Sequence, residues 1–163
     1  MLRFAPGLVT GLTSVLVLGC SDVEPEVEIS HPEMPAVVEA VDQLFLGMRT
    51  RDTSLLRELL AEDARLIAVT NAGVRPSNAG AFLNRITAPG EELHERMWNP
   101  EVRIEGPIAT VWAPYDFHIG GEFSHCGIDA FQLTQSEGRW EIISIIYTVQ
   151  TDGCGVSPLG PPS

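Results

Sequence analysis

The chain contains no lysine: all 10 of its basic residues are arginine, set against 22 Asp and Glu in 163 residues. Without lysine there is no Schiff-base chemistry, no lysine general base and no Gly-Lys-Ser/Thr phosphate loop. A formal charge of −12 excludes partners held by phosphate neutralisation, so no nucleic-acid role is expected. Cysteine is scarce, at three residues, and no Cys-x-x-Cys pair occurs. Gly-x-Ser-x-Gly and Gly-rich dinucleotide motifs are also missing. His94 and Glu95 stand in L-H-E-R, without the second histidine of a zinc helix. His118 and His125 flank one hairpin, but no third ligand is spaced to join them. The expectation is therefore a protein with neither metal nor cofactor.

What is present suits one globular domain, with 44% hydrophobic and 20% charged residues. The first residues read as an address. Arg3 precedes an apolar stretch, Leu8 to Leu18, about half the roughly 20 residues a membrane-spanning helix needs. It ends in Val17-Leu18-Gly19-Cys20, which resembles the lipobox of bacterial lipoproteins, in which the cysteine becomes the lipidated first residue. The expected layout is a signal peptide at 1–19, an acidic tether at 20–33, a folded domain at 34–154 and a disordered tail at 155–163. Ser21 after Cys20 points to the periplasmic side of the outer membrane, with the lipid as the only membrane contact. With Cys20 acylated, Cys126 and Cys154 remain, and an oxidising compartment favours their pairing as a disulfide.

Three helices are expected first. Pro35 opens one, with Val37, Val38, Val41, Leu44, Phe45 and Met48 on a single stripe. Asp52 caps a second, carrying Leu55, Leu56, Leu59 and Leu60. Residues 65–70 read as a strand and 71–77 as a loop, and Ser77 as the cap of a short helix that ends before Pro89-Gly90. The period then changes from 3.6 to 2, giving strands at 94–98, 101–105, 108–119, 123–135 and 139–149. Helices followed by an antiparallel meander define an α+β fold, with helices on one face of a curved sheet.

The Gly120-Gly121 hairpin admits two registers. A two-residue turn sets His118 opposite Phe123 and Asp116 opposite His125; a three-residue loop sets Phe117 opposite Phe123 and Tyr115 opposite His125. The second is preferred, because it gathers Val111, Ala113, Tyr115, Phe117, Phe123, Phe131 and Leu133 on one face and leaves Asp116 and His118 solvated. Under the first, Asp116 and His118 become the site instead. The last strand is apolar on both faces, with Ile143, Ile145, Tyr147 and Val149 on one and Trp140, Ile142 and Ile146 on the other. Its outer face calls for a cover, either a second copy in a homodimer or the tail beyond Cys154.

This order of elements resembles the nuclear-transport-factor-2-like superfamily, whose cone fold packs three N-terminal helices on a strongly bent antiparallel sheet. The stretch V-W-A-P-Y-D-F-H-I-G-G-E-F-S-H-C-G-I-D-A-F-Q-L, followed by G-R-W-E-I-I-S-I-I-Y-T, is similar to its SnoaL-like and lumazine-binding-like bacterial branch. The resemblance implies a cone with an internal pocket. Its members include enzymes, binders and dimerisation modules, so it does not select an activity.

Within that frame Asp129 and His125 lie four apart on one strand and share a face, with Tyr115 as the expected cross-strand neighbour. A carboxyl among aromatics in an apolar cone has a raised pKa and suits a base or a neutral donor. Tyr115, Phe117, His125, Asp129 and Tyr147 are the candidate ligand-binding residues; Asp129, His125 and Tyr115 are the candidate catalytic ones. The competing reading makes Asp129 and His125 a buried polar cluster that only fixes the sheet. The function expected is an envelope lipoprotein binding a small, mostly apolar or aromatic molecule. Two alternatives stay open: a cofactor-independent isomerase, cyclase or dehydratase with an Asp general base, and an interaction module using the exposed sheet face.

Overall fold

A computed structural model describes residues 31–162. The signal segment, Cys20 and all but the last residues of the acidic tether lie outside the described residues. Helix α1, Met34–Thr50, carries Pro35 in its first turn and buries Val37, Val41, Leu44, Phe45 and Met48 on one side. It ends at Arg51 in the left-handed region (φ 56°), whose guanidinium reaches the carbonyls of Ile86, Ala88 and Glu91. One arginine thus ties the end of α1 to the loop after the third helix. Asp52 caps α2, Thr53–Leu59, accepting from the amides of Ser54 and Leu55. The third helix, α3, is Ala79–Ile86, and its cap is Asn78 rather than Ser77, accepting from the amide of Ala81. Ser77 is not free to cap, because it pairs with Leu66 in a strand where the sequence pattern predicts a loop.

That strand is β2, Gly73–Asn78, a hairpin partner of β1, Leu60–Thr70. The remaining strands are β3 (Leu93–Met97), β4 (Glu101–Glu105), β5 (Ile108–Ile119), β6 (Glu122–Ser136) and β7 (Arg139–Thr148). Among the described residues the strands form one seven-stranded sheet in the order β2-β1-β7-β6-β5-β3, with β4 also paired to β5. All pairings are antiparallel except that of β1 with β7, which is parallel. The sheet is strongly bent, stays open, and wraps the three helices. β3 pairs with residues 115–119 of β5 and β4 with 108–112, and Pro114, lacking an amide hydrogen, sits in the gap between them.

The hairpin takes neither expected register throughout. Ile119 pairs with Glu122 across a two-residue turn in which Gly120 and Gly121 both have positive φ (60° and 85°), and His118 pairs with Phe123. A bulge at Ser124 then shifts the ladder, so that Phe117 faces His125 and Tyr115 faces Gly127. The result differs from the preferred register by two residues along β6, an even slip, and inward residues therefore stay inward. Val111, Ala113, Tyr115, Phe117, Phe131 and Leu133 are buried as expected, whereas Phe123, on the turn side of the bulge, is exposed.

Asp116 and His118, expected in solvent, are buried. They do face outward, but Ser157 and Gly160 close over the Asp116–Arg96 pair, and Phe123 packs edge-on against His118 (5.8 Å). Arg96 clamps Asp116 through Nε (2.9 Å) and Nη2 (2.6 Å), and its Nη2 also reaches the carbonyl of Gly160 (3.0 Å). Burial alone would raise the Asp116 pKa; hydrogen bonds from Arg96 and Ser157 hold it below the ordinary range instead. The covering segment is fastened by the Cys126–Cys154 disulfide, whose Cα atoms are 6.0 Å apart. A second bulge, at Ile143 in β7, breaks the expected alternation: Trp140, Ile142 and Ile145 face the core together, while Ile143 and Ile146 are exposed. Trp112, Ala130, Ile146 and Ile67 are paired across four strands, and the row remains open at Trp112 and Ile146.

At the end of β7 the ladder is interrupted. The amide of Ile128 bonds to the Thr148 hydroxyl (2.9 Å), and the Thr148 carbonyl accepts from the Tyr115 hydroxyl (2.7 Å). A Cβ on Gly127 would stand 2.1 Å from that carbonyl oxygen and 2.8 Å from the Tyr115 ring. Gly127→Ala should therefore cost more than about 2 kcal/mol in denaturant unfolding, and Tyr115→Phe only about 1 kcal/mol. Replacing Cys126 and Cys154 together by serine should cost about 3 kcal/mol in the same experiment.

Candidate functional site

The helices do not fill the cone. A cavity of about 450 Å³ lies between α1, α3, the β1–β2 hairpin and the concave face of β5–β7. Phe45, Leu66, Phe82, Phe131 and Ile145 give it apolar walls. Tyr115, Phe117, His125, Asp129 and Tyr147, the five residues singled out from the sequence, all line it. They arrive there because β5, β6 and β7 are consecutive neighbours and each contributes its inward residues.

The polar centre is a pair of carboxyls. Asp129 on β6 is 1% exposed, and its hydrogen-bond partner is Glu95 of β3, two strands away. Glu95 acts as the proton donor of the pair: burial, then the adjacent Asp129 charge and the hydrogen bond to it, hold its pKa well above the ordinary glutamate value. Burial pushes Asp129 up to about 7, with the hydrogen bond from Glu95 pulling the other way. Two carboxylates cannot both be charged in so dry a place, so near neutrality the pair keeps one shared proton. Asp129 Oδ2 has no hydrogen-bond partner among the described residues. A buried lone pair beside a cavity is available to a ligand's N–H or O–H, or to a proton.

The other site residues are placed differently from their expected roles. The Tyr115 hydroxyl is committed to the Thr148 carbonyl, so its ring, not its proton, faces the cavity. Its pKa is raised by burial and by the nearby carboxyls. His125 stacks on Phe117 (4.8 Å between centroids) and meets Tyr115 edge-on (5.8 Å). Its Nδ1 lies 3.0 Å from the Ser124 hydroxyl, and burial lowers its pKa, so it is neutral at pH 7. The structure thus gives Asp129 to Glu95 and His125 to Ser124. Tyr147 also lines the wall, with its pKa raised by burial and by Glu95 and Asp129, and opposed by Arg85 and Arg75. Among the described residues no three His, Cys, Asp or Glu converge on a possible metal site.

Glu95 was the residue that sequence reasoning passed over. It stands in L-H-E-R-M, where polar residues occupy both faces of a short strand and mask the alternation. The available signal was Leu93 and Met97, two residues to either side, which pack against the core and put Glu95 on the inward face.

A family model described as "Putative lumazine-binding" matches residues 32–148, and the chain belongs to that family. No curated protein matches the chain. Solved structures share its fold. An NTF2-like protein from Cytophaga hutchinsonii superposes with a TM-score of 0.62 at 13% identity, covering 74% of this chain and 100% of that one. Its counterpart from Silicibacter pomeroyi, of unknown function, gives 0.58 at 16% identity over 72% of this chain and 96% of that one. A third, from Shewanella baltica, also of unknown function, gives 0.57 at 22% identity over 72% and 94%. At these identities the likeness concerns the fold, which is the NTF2-like cone.

The carboxyl pair has a consequence for stability. Both folded-state pKa values lie above the unfolded values near 4, so the native state binds more protons than the unfolded state between the two. The cost of the pair is absent below about pH 4 and grows as pH rises through the folded values. A Glu95→Gln/Asp129→Asn variant should therefore gain on the parent from pH 5 to pH 8, by roughly 5 °C in melting temperature. Contributions from His94 and His125, whose lowered pKa values act in the opposite sense, are common to both proteins and cancel in the difference.

Proposed function

We propose that this protein is an envelope lipoprotein, anchored through Cys20, whose cone binds a small, mostly apolar or aromatic molecule. The observation that carries the reading is a cavity with apolar walls whose lining includes Asp129, a buried carboxyl with one oxygen, Oδ2, left unpartnered among the described residues. Cavities of a few hundred Å³ with few convergent polar groups are the usual form of small-molecule sites. The family's lumazine-binding description agrees with a flat heteroaromatic ligand whose ring N–H could meet that oxygen. The disulfide suits a periplasmic address, and the open row at Trp112 and Ile146 suits a second copy.

A second reading rests on the shared proton. An acid–carboxylate pair can take a proton through Asp129 Oδ2 while Glu95 holds the developing acid in place, which is what a cofactor-independent isomerase or dehydratase requires. In this reading Asp129 is the catalytic residue, and Glu95 positions it.

The test is native mass spectrometry of the full chain, purified from its membrane in mild detergent. The expected spectrum shows a non-covalent adduct of about 200–500 Da that is lost on denaturation and missing from Ala68→Phe, which fills the cavity. The denatured mass should show loss of 1–19 and a lipidated Cys20. An empty protein with an unmodified N-terminus would overturn both halves of the proposal.

A further inference from the structure

The two ends of the cavity carry opposite polarity. The inner end holds the carboxyl pair, and the outer end holds Arg75 of β2 and Arg85 of α3, both exposed and both on the cavity lining. These are two of only 10 basic residues in a chain of net charge −12. No salt bridge engages either one among the described residues. Arg75 Nη2 lies 3.3 Å from the Thr70 hydroxyl, and the Arg85 guanidinium lies 5.7 Å from the centroid of Phe82, itself a wall residue. Both guanidiniums thus meet neutral groups at the rim, with no acidic partner in a salt bridge among the described residues. They come from β2 and from the last turn of α3, the helix that directly follows it, and Tyr147 feels the charge of both arginines and of the inner pair.

We propose that the cavity selects an anionic aromatic: a flat apolar body along the walls and a carboxylate, sulfonate or phosphate between Arg75 and Arg85. The inference rests on the cavity being a ligand site and specifies the chemical class of its occupant. Guanidinium groups favour planar anions through paired N–H donors, and two at one opening give an orientation as well as an attraction. Orientation follows from the inner end. The carboxyl pair repels an anion, so the charged group stays at the rim and the neutral N–H or O–H edge enters toward Asp129 and Glu95. The net negative charge of the protein opposes any general attraction for anions, so a preference for one measures the local arrangement.

The experiment compares two fluorescent probes that share one aromatic body, anilinonaphthalene sulfonate and the uncharged N-phenylnaphthylamine. Both are titrated into the full chain in detergent at physiological salt. The parent should bind the sulfonate more tightly by about tenfold. Arg75→Gln/Arg85→Gln should erase that preference while leaving the uncharged probe within about twofold, and Arg75→Lys/Arg85→Lys should restore part of it. Equal affinity for both probes, or a preference that survives the glutamine substitutions, would overturn the anion site and leave the cavity reading standing. Insensitivity of both probes to Ala68→Phe would instead overturn the cavity reading itself. The arginines are exposed, so circular dichroism melts of the variants should superpose on the parent.

Discussion

The concave wall of this domain depends on one carbonyl group. Thr148 stands where β7 leaves the sheet; its oxygen accepts from the Tyr115 hydroxyl, while its own hydroxyl takes the Ile128 amide. Three strands are joined at that point, and the join requires an absent side chain, because any Cβ at position 127 would occupy the place of the carbonyl oxygen. Glycine's usual role at a strand interior is to admit close backbone approach, and here it admits a neighbouring strand and a tyrosine ring together. With Tyr115 fixed by its hydroxyl, the ring becomes a rigid part of the cavity, and Phe117 and His125 stack next to it.

The polar chemistry follows from that geometry. Asp129 is placed on the concave face by the same β6 segment, and β3 returns along the far edge of β5 to bring Glu95 over it. Burial makes two charges there too expensive, and a shared proton is the low-cost solution. Sharing leaves one Asp129 oxygen unpartnered, on a residue that lines a space that α1 and α3 roof but do not fill. An empty apolar volume weakens packing, and a buried unpartnered acceptor adds to the cost. A fold that tolerates both next to each other has the energetic profile of a binding site, since a ligand supplies what each lacks.

Much of the scaffold was legible from local pattern. The α1 stripe, the Asp52 cap, the bounds of β4 and β5, and the Cys126–Cys154 pair all follow from periodicity, cap chemistry and cysteine number. The inward face of β5 and β6 was also legible, even though the register was not, because a bulge at Ser124 changed the pairing by an even step. What misled was context. Gly73–Asn78 contains Gly, Pro and Asn and reads as a loop, yet it is a strand because β1 extends beside it. Asp116 alternates correctly to the outside, yet it is buried, because a Pro- and Gly-rich segment tied down by a disulfide closes over it and Arg96.

The sequence by itself determined the class of fold, the absence of lysine chemistry, and five of the side chains that line the cavity, since periodicity and composition are local properties. Tertiary structure alone decided that Asp129 meets Glu95, that Tyr115 spends its hydroxyl on Thr148, and that two arginines stand at one opening. Each of those meetings joins residues at least 33 positions apart except the arginine pair, whose members belong to different elements. No periodicity carries that information. It is set by the strand order and by the bend that turns a sheet into a cone.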